Sequence, residues 1–176
     1  MSKGLFWAFF LFVCATSVFG KKPDVSPAVP DQEQQIDRMF DLTNRIRAER
    51  KLPILGLDAR LCQAAAEHAE EMARYNYVSD GGHGIFPLRS TPGSRAWACG
   101  YAWSSIAETV CAGSSDVASV LTSWLRSRAH AHILMDPQYQ DAGIGIAHGA
   151  TRTYWVLMLA TKPSNSSPLR DWNSAR

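Results

Sequence analysis

Residues 143–160, GIGIAHGATRTYWVLMLA, decide the fold. In Gly143–Ala147, Ile144 and Ile146 alternate with small residues, the period of a strand with one bulky face. Tyr154–Ala160 is apolar almost throughout, as expected of a strand covered on both faces. A polar turn separates the two, so they predict a terminal β-hairpin. A third, short strand around Ala107–Cys111 is able to join them.

Upstream the period changes to that of helices. Ile36, Met39, Phe40, Thr43 and Ile46 recur at helical spacing behind an Asp31/Gln34 capping box, until Pro53 stops the pattern. A second helix opens near Asp58 and carries Leu61, Ala65, His68 and Met72 on one stripe. Its Ala64-Ala65-Ala66 run, with Ala69 and Ala73, gives high helix propensity and a thin face that lets a neighbour pack close. A third helix, capped by Ser114 or Ser115, buries Val117, Val120, Leu121 and Trp124. Between the last two, Asp80–Gly100 is rich in Gly, Pro, Ser and Arg and reads as one long irregular connection, a setting in which function concentrates. Three helices before a hairpin imply an α+β layered domain.

The chain of 176 residues holds 18 Lys+Arg and 16 Asp+Glu, with 46% hydrophobic residues. That composition excludes disordered and collagen-like chains, and near-neutrality supplies no reason to expect nucleic acid. Residues 1–20 read as an export signal: Lys3, the apolar run Leu5–Val13, then small residues at Val18 and Gly20 before a cut ahead of Lys21. The run is too short to span a bilayer, so no transmembrane segment is expected after cleavage. Residues 21–32 form a Pro-rich linker, 33–161 the folded domain and 162–176 a polar tail. Within the tail, Asn165-Ser166-Ser167 is a glycosylation triplet. The expected location is secreted or periplasmic.

Several chemistries are absent from the sequence: it has no HExxH, no GxSxG elbow, no P-loop and no CxxC. Of the five histidines, His68 sits on an apolar helical stripe and reads as a hydrogen-bonded core residue. His130 and His132 are two apart and point in different directions, and His148 follows a strand as a solvated turn residue. Glu108 stands alone among apolar neighbours (IAETVCAG, 106–113). If buried it must be paired, protonated or metal-bound; otherwise it is an edge residue facing water. Trp97, Tyr101 and Trp103 precede it and suit either ligand recognition or core packing. After export Cys62, Cys99 and Cys111 remain. A Cys99–Cys111 bridge, a Cys62–Cys111 bridge and no bridge at all are compatible with their positions.

HAEEMARYNYVS (68–79), IAETVCAG (106–113), SWLRSRAHAHILMDPQYQDAGIGIA (123–147) and YWVLMLA (154–160) together resemble the bacterial branch of the CAP superfamily. This is the SCP-like group named for cysteine-rich secretory proteins, antigen 5 and pathogenesis-related 1. The likeness runs from Ile36 to Thr161 and implies a three-layer α-β-α sandwich with a cleft of histidines and glutamate. The family's cleft glutamate matches Glu108, although Thr109 stands where the family has Asn. Its histidine after the tryptophan-bearing helix matches His130, and the second glutamate of the eukaryotic branch is Ser127 here. The remaining histidine matches His83 by its spacing to Gly100-Tyr101, with Asp80 as the substitute.

The resemblance thus implies His83, Glu108 and His130 as a two-imidazole, one-carboxylate set. Such a set suits a divalent cation, zinc in particular. Two functions follow as expectations. One is an exported, non-enzymatic module that binds a lipid, an envelope polymer or a protein. The other is a metal-dependent hydrolase, a peptidase or esterase, with Glu108 or His130 as catalytic candidates. No serine or cysteine stands in a nucleophile setting, so the balance leans away from an enzyme.

Overall fold

The computed structural model describes residues 32–82 and 91–164. The expected export signal, the Asp31 cap, nearly all of the linker, His83 and the glycosylation triplet lie outside the described residues. Five helices and four strands follow in chain order: α1 (Gln32–Glu49), β1 (Gly56–Leu57), α2 (Ala59–Tyr75), α3 (Pro92–Ala98), β2 (Ser105–Gly113), α4 (Val117–Arg126), α5 (Arg128–Leu134), β3 (Asp141–His148) and β4 (Thr153–Thr161).

The strands form one sheet in the order β1-β3-β4-β2, with β1 parallel to β3 and the other pairs antiparallel. The expected hairpin is β3–β4, closed where Gly149 N–H donates to Arg152 O. β4 is central, and all its residues from Thr153 to Ala160 are buried. One sheet face packs Ile144, Ile146, Trp155, Leu157 and Leu159 against Met39 of α1, Trp124 of α4 and Leu134 of α5. The other packs Val156, Met158 and Ala160 against Leu61, Ala65 and Met72 of α2 and Ala96 of α3. The three-layer sandwich expected from the sequence is therefore present.

α2 rests directly on β3. A Cβ added at Gly143 would come 2.2 Å from the Leu61 carbonyl carbon, and one at Gly145 2.2 Å from that of Ala65. The small residues between the isoleucines are thus the seat of the alanine-rich helix. Helix α2 begins at the expected cap, with the Asp58 carboxylate accepting from Arg60 N–H. It ends at Asn76 in the left-handed region, φ 53°, whose Oδ1 accepts from Arg152 Nη2 at 2.7 Å and Tyr154 OH at 2.8 Å.

Two local expectations need correction, and two elements were not foreseen. The connection from 80 to 100 is not irregular throughout, because α3 lies inside it. Thr91 and Ser94 form its capping box and Pro92 starts it, a signal hidden by the surrounding Gly, Pro and Ser. Helix α4 is capped by Asp116, whose side chain accepts from Ser119 N–H, rather than by Ser114 or Ser115. Ser114 Oγ instead accepts from Asp116 N–H. α5 was not anticipated; it opens at Ser127, whose extended backbone separates it from α4. β1, with two residues, is too short for a sequence period to reveal.

Cys62, Cys99 and Cys111 are all free thiols. Neither bridge weighed from the sequence forms, because strand alternation places Cys111 against the α1/α4/α5 layer while Cys99 packs in the α2/α3 layer, and Cys62 lies on α2. The sheet lies between the partners of either bridge. Alkylation of the denatured, unreduced chain followed by peptide mass analysis is expected to label all three positions; a single labelled cysteine would contradict the structure.

Candidate functional site

Glu108 sits in the middle of β2, paired with Met158 of β4, and strand alternation turns its side chain toward α2 and α3. The residue is only 6% exposed, so of the two sequence expectations the buried, paired one holds. Its partner is Arg95 of α3: Nη2 donates to Oε1 at 2.8 Å and to Oε2 at 3.0 Å. The same Nη2 lies 3.0 Å from the backbone oxygen of Asp80.

His68 completes the cluster from the apolar stripe of α2. It is fully buried, with Nε2 2.8 Å from Ser79 O and 3.6 Å from Glu108 Oε1. A carbonyl only accepts, so Nε2 carries the proton. Nδ1 faces Glu71 Oε2 at 3.4 Å, and the Tyr77 ring meets the imidazole edge-on at 6.2 Å. His68 thus has the hydrogen-bonded core role expected of it, and its partners are the cluster around Glu108.

The electrostatics follow from burial. Loss of water pushes the Glu108 carboxyl up from 4.5 to about 7, Arg95 pulling down and Asp80 pushing up. Burial also lowers the His68 imidazole, and the Arg95 charge adds to that. For Glu108 the folded value exceeds the unfolded one. Its stabilising contribution is complete below about 4.5 and is lost as pH rises to about 7. His68 has the opposite sign, its contribution being present above about 6.5 and falling away as pH drops below it. Urea titrations of Glu108→Gln are therefore expected to be flatter than wild type between pH 4.5 and 7. Equal slopes would remove Glu108 as the source.

The other sequence candidates are placed as follows. His130 is half-buried on α5, which belongs to the α1/α4 layer, whereas Glu108 turns into the α2/α3 layer. His132 is exposed on the same helix, and His148 ends β3 with Nδ1 3.1 Å from Thr153 Oγ1. Asp80 is exposed and approaches the cluster through its backbone oxygen. Thr109 is buried on the opposite face of β2 from Glu108, among the residues facing the α1/α4/α5 layer. Of the three aromatics, Tyr101 is core, its OH donating to Asp141 Oδ2 at 2.7 Å. Trp103 is half-buried with Nε1 donating to Gly93 O, and Trp97 alone stays largely exposed, at 43%.

Of the implied zinc set, Glu108 and His130 lie among the described residues and His83 lies outside them. Both Glu108 oxygens are engaged by Arg95, and His130 belongs to the other layer. Among the described residues no three His, Cys, Asp or Glu side chains gather as a metal-binding group. Arg95 is the functional residue that sequence reasoning missed. A usable signal existed: a buried Glu108 needs a cation, and Arg89 and Arg95 are the only Lys or Arg between Asp80 and Glu108.

With this geometry in hand, residues 40–159 match the family model described as the cysteine-rich secretory protein family, CAP. The chain belongs to this family. No curated protein matches the chain. Among solved structures, the CAP domain is similar to an extracellular protein containing a SCP domain from Bacillus anthracis, with 27% identity and TM-score 0.67 over 74% of this chain and 41% of that one. An outer surface protein of Borrelia burgdorferi has TM-score 0.68 at 16% identity, covering 76% of this chain and 96% of that one. A cysteine-rich secretory protein of Staphylococcus aureus has TM-score 0.60 at 19% identity, with 76% and 40% covered. The last two show the CAP fold alone. This chain spans about two fifths of the B. anthracis and S. aureus proteins. No helix among the described residues is long and apolar enough to cross a membrane.

Proposed function

We propose that this CAP domain is a secreted or periplasmic binding module that recognises a lipid, an envelope polymer or a protein through its α2/α3 layer. The location follows the export-like first twenty residues and the extracellular and outer-surface descriptions of similar proteins. The observation that carries the binding assignment is the exposure of large apolar side chains on α2, on α3 and in the segment that follows α2. Tyr75, Val78 and Trp97 are three of the five large apolar side chains left exposed among the described residues. Tyr75 ends α2, Val78 directly precedes the Ser79–Asp80 segment held by His68 and Arg95, and Trp97 follows Arg95 on α3. Aromatic rings on held backbone suit recognition at a wet surface, since little side-chain entropy is lost on contact.

The test is co-sedimentation of the mature chain with phosphatidylglycerol vesicles and, separately, with purified cell-wall polymer. Saturable association with one of them is expected, weakened about tenfold or more by Trp97→Ala, because a hot-spot aromatic typically carries about 2 kcal/mol or more of a binding energy. Association with neither, together with capture of a protein ligand that ignores Trp97→Ala, would remove these side chains from the proposal.

A hydrolase is the second reading, and one observation favours it. A carboxyl pushed to about 7 lies in the range where a general base works near neutral pH. Against it, both oxygens of that carboxylate already accept from Arg95, so none is presented to a substrate proton. Cleavage of peptides, esters or wall fragments that Glu108→Gln abolishes would establish the enzyme instead.

A further inference from the structure

We infer that Glu108 is the resident hydrogen-bond partner of Arg95, not a metal ligand, and that the pair acts with His68 as a clasp pinning Ser79–Asp80 to the sheet.

Three elements far apart in sequence meet here. α3 supplies Arg95, β2 supplies Glu108 and α2 supplies His68. Their side chains hold two consecutive carbonyls, with Arg95 Nη2 on Asp80 O at 3.0 Å and His68 Nε2 on Ser79 O at 2.8 Å. The segment around them is fixed at nearby points: Tyr77 N–H donates to Met72 O, Gly81 N–H donates to Ser79 Oγ, and Asn76 accepts from Arg152 and Tyr154. Ser79 and Asp80 are therefore tied to side chains that are themselves 7% exposed or less.

A metal cannot simply be added to this arrangement. Zinc bonds a carboxylate oxygen at roughly 2.0–2.2 Å. Arg95 Nη2 already lies within 3.0 Å of both oxygens, and His68 Nε2 approaches Oε1 at 3.6 Å with its proton. A dication there would face the guanidinium charge inside a buried site, where screening is weak. It would bind only by expelling Arg95, and an expelled Arg95 would release Asp80 O as well.

Arg95 is accordingly a positioning residue, and its test is local. Zinc chloride is titrated calorimetrically into the mature chain and into Glu108→Gln, and amide exchange is followed over residues 77–82 with β4 as the internal reference. The zinc isotherm is expected to be unchanged within twofold in Glu108→Gln. Exchange at Tyr77 and Gly81, whose amides donate to Met72 O and Ser79 Oγ, is expected to rise about tenfold or more in that variant while β4 keeps its protection, and Arg95→Lys, which keeps the charge on a shorter, non-planar head, should fall between. A tenfold loss of zinc affinity in Glu108→Gln, or exchange over 77–82 that does not change, would overturn the inference. If Glu108→Gln fails to fold, wild type decides alone. Unchanged protection of 77–82 at 1 mM zinc, on the order of a moderate site's saturation, supports the clasp; deprotection there by zinc overturns it. The outcome is independent of whether Trp97 contacts a ligand, so it and the binding proposal fail separately.

Discussion

Replacing Arg47 by methionine is expected to lower the unfolding free energy by about 3–5 kcal/mol, measured by urea denaturation at pH 7. Arg47 is the last buried residue on the inner stripe of α1, after Gln35, Met39 and Thr43, and it is fully buried. Among the described residues no carboxylate pairs with it directly; it serves backbone oxygens instead. Nε donates to Pro53 O at 2.9 Å, Nη1 to Leu134 O at 2.8 Å and Asp136 O at 3.1 Å, and Nη2 to Tyr139 O at 3.4 Å. One guanidinium thus ties the exit of α1 to the end of α5 and the segment that leads into β3. Its charge sits among the carbonyls of a helix C-terminus, where a cation is favoured. Burial lowers its pKa, with Asp136 opposing. Methionine fills most of the volume but leaves these acceptors without donors. Arg47→Lys keeps the charge on three donors that cannot spread as a planar fork, so it should recover less than half of the loss. A loss below about 1 kcal/mol for Arg47→Met would mean that water replaces the guanidinium.

Gly145→Ala is expected to cost about 3 kcal/mol or more, because the clash is with backbone, which cannot rotate away. Its added Cβ would stand 2.2 Å from Ala65 C, 2.3 Å from Ala65 O and 2.4 Å from Ala66 N. Relief requires α2 to lift from β3, and α2 carries His68, so the damage should reach the cluster around Glu108. The control is Gly81→Ala, where the nearest atom is Ser79 Oγ at 3.6 Å and the cost should stay within about 0.5 kcal/mol. Equal melting temperatures for the two variants would show that α2 is not seated on β3 as described.

Both predictions bear on what a linear sequence reveals. The hairpin was legible because strand alternation is local: Ile144 and Ile146 beside glycines already announce one bulky and one thin face. The alanine run of α2 was legible for the same reason, and the two thin faces proved to be each other's seat. Arg47 escaped notice because arginine at the end of an apolar stripe looks like the solvated edge of a helix. Its carbonyl partners are supplied by residues that follow it by as few as six positions and as many as 92. α3 and α5 escaped for another reason: each has only seven residues, too few for a helical period to rise above its surroundings.

By itself, the sequence determined the layered α+β class, the hairpin, the long helices and the importance of Glu108, whose charge among apolar neighbours demands an explanation wherever it is buried. Only the tertiary structure decided which explanation applies. Laying α3 over β2 brings Arg95, thirteen residues upstream, onto both carboxylate oxygens, and seating α2 on β3 adds His68. Side-chain period is a property of neighbours along the chain, whereas the partner of a buried charge is fixed by how elements stack: the sequence offers Arg89 and Arg95 as nearby cations, and only the stacking of α3 on β2 selects Arg95.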